Sequence, residues 1–164
     1  MLKDLIPVLS VMAGGIIGFL GASLQQRASM KLDRRKLIRE RLEEVYLLSR
    51  QVEEWGLDQV KELTSFFTGL GNHKPESGAE DPPTVRLVML AKIYEPRIAD
   101  VSVRLSGEAD ILQHNVFEYY LDTAKAEEPL PIEALQKAIM PLDDLQKTGK
   151  ELRALIERCV QDYI

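Results

Sequence analysis

The sequence predicts an all-α fold: an N-terminal single transmembrane helix continuing into a cytoplasmic three- or four-helix bundle with a long antiparallel helical hairpin. Three observations predict it. No charged residue occurs from Leu5 to Gln26. Beyond that run, apolar residues recur at spacings of three and four, the period of an amphipathic helix. Proline and glycine gather at a few points and leave long uninterrupted segments between them.

Composition sets the outer bounds. Of 164 residues, 29% are charged and 45% hydrophobic, which excludes a disordered or collagen-like chain. A single cysteine, Cys159, excludes an internal disulfide and any multi-cysteine zinc or iron–sulfur site. Only two histidines occur, His73 and His114, so a histidine-rich metal centre is excluded as well. Charge is unevenly placed. Residues 1–26 carry only Lys3 and Asp4, residues 27–41 have a net charge of +5, and residues 42–164 have a net charge of −10.

The first element is a transmembrane anchor over residues 1–26. The 22 uncharged residues from Leu5 to Gln26 form a helix of about 33 Å, the thickness of a bilayer's hydrocarbon core. Pro7 falls in the first turn, where its missing N–H costs little. Gly14, Gly15, Gly18 and Gly21 would weaken a helix in water and are tolerated in lipid. A cleaved signal peptide is the rival, with Gly21 and Ser23 as a poor cleavage site. The dense basic cluster that follows opposes translocation and favours an uncleaved anchor. Ser10, Gly14, Gly18 and Ala22 lie four residues apart on one helix face, a pattern for helix pairing in lipid.

Residues 27–70 form a basic juxtamembrane stalk helix and a short helix. Arg27, Lys31, Arg34, Arg35, Lys36 and Arg39 make a collar for anionic lipid. By the positive-inside rule the collar sets orientation, with the amino terminus outside and the body in the cytoplasm. Nucleic-acid binding is the rival for such a stripe, and no nucleic acid is expected. Ile38, Leu42, Val45, Leu48, Val52 and Trp55 form an amphipathic seam. Gly56 interrupts it, and Gly69 and Gly71 end a second stretch. Residues 71–83 contain almost nothing apolar and make a flexible loop that holds a solvated His73.

Residues 84–164 form the hairpin and bundle. Residues 84–95 (TVRLVMLAKIYE) are apolar nearly all round and suit the centre of a bundle. A strand is the alternative, but no partner strand is evident. Asp81 is a candidate cap. Pro96 restarts the helix, and Ile98, Val101, Leu105, Leu112, Val116 and Tyr119 form its seam, broken near Gly107. The stretch AEEPLP at 126–131 is the turn. Ile132, Leu135, Ile139, Leu142, Leu145, Leu152, Ile156, Cys159 and Tyr163 run to the end, with a kink or fresh start at Pro141.

The segments RERLEEVYLL (39–48) and VMLAKIYEP (88–96), followed by two long amphipathic helices, resemble a family of small bacterial single-pass membrane proteins. That family has a LEELY-like helix and an ML-x-x-x-Y-x-P helical hairpin. The matching positions are Leu42, Glu43, Glu44 and Tyr46, then Met89, Leu90, Tyr94 and Pro96, with Val45 and Glu95 as departures. The resemblance implies this topology in the bacterial inner membrane and no activity.

Chemical motifs are absent. There is no GxxxxGK[ST], HExxH or GxSxG, and GGIIGFLG follows no strand. His114 and Glu118 stand at i,i+4, yet no Glu-x-x-His occurs and no second helix supplies a histidine. The adjacent acids Glu43/Glu44, Glu53/Glu54 and Asp143/Asp144 point about 100° apart and suit a solvated face. Cys159 fits a buried structural thiol, Trp55 closes the first seam, and Tyr119 and Tyr120 straddle core and rim. No catalytic residue, metal or cofactor is assigned, and an enzyme is not expected. The expected function is a membrane-tethered helical interaction or scaffold module, self-associating, with the bilayer and an unidentified protein as partners. The alternative is a membrane-permeabilising effector gated by its cytoplasmic bundle.

Overall fold

The computed structural model describes the backbone of residues 2–69, 82–126 and 130–164, and the side chains of residues 22–69, 82–126 and 130–164. Its regular elements are α1 (Leu2–Phe67), α2 (Thr84–Tyr94), a 3-10 turn (Pro96–Ile98), α3 (Ala99–Lys125), α4 (Ile132–Ile139) and α5 (Pro141–Gln161). The described residues contain no strand, so the all-α class holds. The chain divides into two compact units, Met1–Ile38 and Arg39–Ile164.

The first unit requires a correction. Among the described residues no helix is long and apolar enough to cross a membrane. The single-pass bacterial inner-membrane localisation, with the amino terminus outside and the C-terminal domain cytoplasmic, is therefore not upheld. Of the expected anchor, only the side chains of residues 22–26 are described, and the apolar run cannot extend beyond them. From Arg27 to Arg41 no four consecutive residues lack a charge. A charged side chain at the bilayer centre costs about 2.5–3.5 kcal/mol on insertion scales. The side chains of residues 1–21, which make up most of the expected anchor, lie outside the described residues. So do residues 70–81, with His73 and Asp81, and residues 127–129 of the expected turn.

The second unit is a helical bundle. Leu42, Val45, Leu48 and Val52 of the predicted seam in α1 are buried, its ends Ile38 and Trp55 are half-buried, and Leu63 is buried further along. α1 runs through Gly56. A Cβ built on Gly56 would sit 2.5 Å from Leu145 Cδ2 and 3.3 Å from Leu112 Cδ2 and Leu142 Cδ1. This glycine therefore marks a close approach of α1 to α3 and α5 rather than a break. Gly69, at φ +69°, takes the left-handed conformation beyond the end of α1, and its N–H bonds back to Phe66 O at 3.1 Å.

Cross-helix contacts give the directions. Arg104 bonds Glu151 at 2.5 Å and Thr148 bonds Glu108 at 2.8 Å, so α3 and α5 run antiparallel. Glu53 pairs with Arg153 while Gly56 meets Leu145, so α1 and α5 are antiparallel too. Gly56 meets Leu112 and Phe66 stacks edge-on against Tyr120 at 5.1 Å, which makes α1 and α3 parallel. Their shared core includes Leu105, Ala109, Leu112, Leu145, Leu152 and Ile156. α3 passes Gly107 without a break, with Ala109 filling the seam. Pro141 starts α5 afresh, and only Met140 separates it from α4.

α2 is helical, as expected, but not central. Thr84, Leu87, Leu90 and Ala91 are buried, while Val85, Met89 and Ile93 face outward. Its 11 residues, about 16 Å, pack one face on the core and leave the opposite face open.

The glycine geometry predicts opposite outcomes for two alanine substitutions. Gly107 has no neighbour within 4 Å of a built Cβ, so Gly107→Ala should stabilise by about 0.5–1 kcal/mol. Gly56→Ala overpacks the three-helix contact and should destabilise by about 1–2 kcal/mol despite its better helix propensity. Urea midpoints of the two variants and the parent measure both.

Candidate interaction surface

The surface is built from the end of α2. Pro96 disfavours helical backbone at the residue before it. Glu95 accordingly adopts φ −149° and ψ 83°, and α2 stops at Tyr94. That break leaves Glu95 3% exposed. A buried carboxylate needs partners, and three polar groups supply them. Arg97 grips it along one edge of the guanidinium, Nε donating to Oε1 at 2.7 Å and Nη2 donating to Oε2 at 2.8 Å. Tyr163 Oη donates to Oε2 at 2.9 Å. Arg97 Nη1 also reaches Asp162 Oδ2 at 2.6 Å. The corner after α2 is thus tied to the residues just beyond α5.

Electrostatics follow from this geometry. The Arg97 guanidinium holds the Glu95 carboxyl below its usual range against the opposing effect of burial, and the Tyr163 hydroxyl helps. Burial, then the nearby Glu95, pushes the Tyr163 phenol up. Burial likewise raises the Cys159 thiol, with Glu95 as the next cause. Cys159 is a free, buried cysteine, and a raised thiol is a poor nucleophile.

A second cluster ties α2 to α1. Arg41 Nη1 donates to Glu44 Oε2 at 2.6 Å, and Arg86 of α2 binds the other oxygen of Glu44. The Arg41 guanidinium also lies 5.9 Å from the Tyr94 ring centroid. Glu44 is held below the usual carboxylate range, chiefly by Arg41. With both ends fixed, α2 presents a stripe at i, i+4 and i+8: Val85 82%, Met89 51% and Ile93 62% exposed.

An apolar groove of about 440 Å³ runs between α1 and α5. Tyr46, Leu47, Ile156 and Val160 line it, and Glu43 and Glu157 stand at its rim. Leu47 is 58% exposed. Ridge and groove belong to different flanks of α1. Arg41 and Glu44 face α2, whereas Glu43 and Tyr46 face α5.

The residues singled out in the sequence fall as follows. Ser10, Gly14 and Gly18 lie outside the described side chains, and Ala22 is exposed. Arg27, Lys31, Arg34, Arg35, Lys36 and Arg39 are all exposed, with Arg39 bonded to Glu43 at 3.1 Å. His114 and Glu118 border a shallow groove with Asp122 and Lys137. Among the described residues no group of three His, Cys, Asp or Glu could hold a metal ion. Glu53 and Glu44 depart from the expected solvated face. Both are mostly buried, Glu53 against Arg153 at 2.6 Å. Tyr119 is buried and Tyr120 half-buried, as expected, and burial raises the Tyr120 phenol to about 12. Trp55 is half-buried, and its indole N–H has no hydrogen-bond partner among the described residues.

Sequence reasoning missed the Glu95 network. Tyr163 was legible only as the last member of an apolar seam. The usable signal was the Glu-Pro-Arg triplet at 95–97, where an acid and a base flank a helix-breaking proline. Compared with known protein families, curated proteins and solved structures, the chain matches none.

The network predicts a pH response. The Glu95 carboxyl is lowered in the folded state, so its contribution is complete above the unfolded carboxylate range and is lost as pH falls through the folded value. Glu108 opposes this, because burial raises its carboxyl. Glu95→Gln should cost about 1–3 kcal/mol at neutral pH, and the gap to the parent should narrow in acid. Urea midpoints at neutral and acidic pH measure both effects.

Proposed function

We propose that this chain is a helical interaction module that self-associates and works by binding rather than by catalysis. The observation that carries it is the outward stripe Val85, Met89 and Ile93 on a helix held at both ends by ion pairs. A short helix gains little by itself in water. Here polar clusters fix it in place and leave three large apolar side chains in solvent, an arrangement that suits a partner surface. The groove beside Tyr46 and Leu47 adds a second apolar surface on the same unit. The motif resemblance at 39–48 and 88–96 contributes no activity to this proposal. The permeabilising alternative required a membrane-spanning helix and is not carried forward.

Sedimentation of the full chain from low to high micromolar concentration tests the proposal. The average mass should rise with concentration. Met89→Glu combined with Ile93→Glu should weaken association about tenfold or more, because charge at an apolar contact centre is poorly tolerated. Both positions are exposed, so the circular dichroism melt of the variant should match that of the parent. A parent chain that stays monomeric throughout would overturn the proposal.

A further inference from the structure

We infer that the α2 ridge of one chain seats in the α1–α5 groove of a second copy, so that the contact is heterologous. This rests on the self-association proposed above and names the two surfaces that meet.

Polarity agrees. The ridge offers Val85, Met89 and Ile93 as a row of protruding apolar side chains. The groove offers Tyr46, Leu47, Ile156 and Val160 as its apolar lining. Charge agrees as well. α2 contains no acid, and its exposed Arg86 and Lys92 flank the ridge. Glu43 and Glu157 stand at the groove rim. Arg86 and Glu43 already have partners within the chain, in Glu44 and Arg39. Lys92 and Glu157 make no ion pair among the described residues, so they are the two charges left to meet across the contact.

The competing arrangement sets one α2 ridge against another across a two-fold axis. That would set Lys92 of each copy against an α2 that carries no acid, whereas the groove offers it Glu157. A charge left without a partner at the contact disfavours paired ridges. Ridge and groove also lie on different flanks of α1, so α2 does not cover the groove of its own chain. A heterologous contact of this kind builds rings where the rotation closes and open chains where it does not.

Two full-length variants test the inference by sedimentation velocity. The ridge variant carries Met89→Glu and Ile93→Glu. The groove variant carries Leu47→Arg and Glu157→Lys. All four positions are exposed, so folding should survive, and a circular dichroism melt checks it. Each variant alone should self-associate about tenfold more weakly or worse. An equimolar mixture should form a 1:1 heterodimer that grows no further, because one intact ridge and one intact groove remain. In a second series, Lys92→Glu and Glu157→Lys should each weaken association singly and restore it when combined in one chain.

A groove variant that associates like the parent while the ridge variant does not would assign the contact to paired ridges and overturn the inference. A mixture that stays monomeric would overturn it as well, leaving the groove to a small apolar ligand or another partner. A parent chain that is monomeric at every concentration would instead remove the self-association reading itself. The two failures are therefore distinguishable.

Discussion

The buried carboxylate of Glu95 is the constraint on which the rest of the second unit turns. Proline at 96 forbids the helix from continuing, and the extended backbone of Glu95 leaves its side chain enclosed. A charge so enclosed is costly unless paired and hydrogen-bonded. Arg97 and Tyr163 satisfy it, and Arg97 passes the connection on to Asp162. One break in the helix thereby fixes two things: where α2 stops, and where the end of α5 must lie.

From that fixed corner the outward face of α2 follows. The buried side of the helix is set by Leu87, Leu90 and Ala91 against the core. Its azimuth is set by Arg86 on Glu44 and by Tyr94 beneath Arg41. The exposed stripe is thus the face opposite Leu87, Leu90 and Ala91, with polar contacts on its flanks.

The helical seams were legible because their periodicity is local. Leu42, Val45, Leu48 and Val52 declare a buried face from spacing alone, and so do Leu145, Leu152, Ile156 and Cys159. Pro96 and Pro141 declared restarts for the same reason. What spacing cannot supply is the number of neighbours. Residues 84–94 are apolar on nearly every side, which suits either a central helix or one with an outward interaction face. Gly56 shows the same limit. As a letter it reads as a helix breaker, and only the approach of Leu145 and Leu112 reveals a packing glycine. The adjacent acids show it again, since Glu53 is removed from solvent by Arg153, one hundred residues away. The expected membrane anchor was drawn from an absence of charge, and the described helices do not supply the apolar length it requires.

The charge distribution bears directly on how such a body could assemble. Residues 42–164 are strongly acidic, at a net −10, so two copies repel at long range. A contact between them is favoured where the local sign departs from the average. α2 is such a place, since it has no acid and its Lys92 makes no ion pair among the described residues, while Arg86 is held by Glu44. Setting it against an acid-rimmed groove converts part of the general repulsion into a specific attraction, whereas ridge on ridge leaves Lys92 without an acid. Salt then acts in two senses. It screens the repulsion between the acidic bodies, and it also screens the Lys92–Glu157 pair at the rim. The two effects oppose each other, so the net salt dependence reports their balance, while the charges chiefly select which surfaces meet.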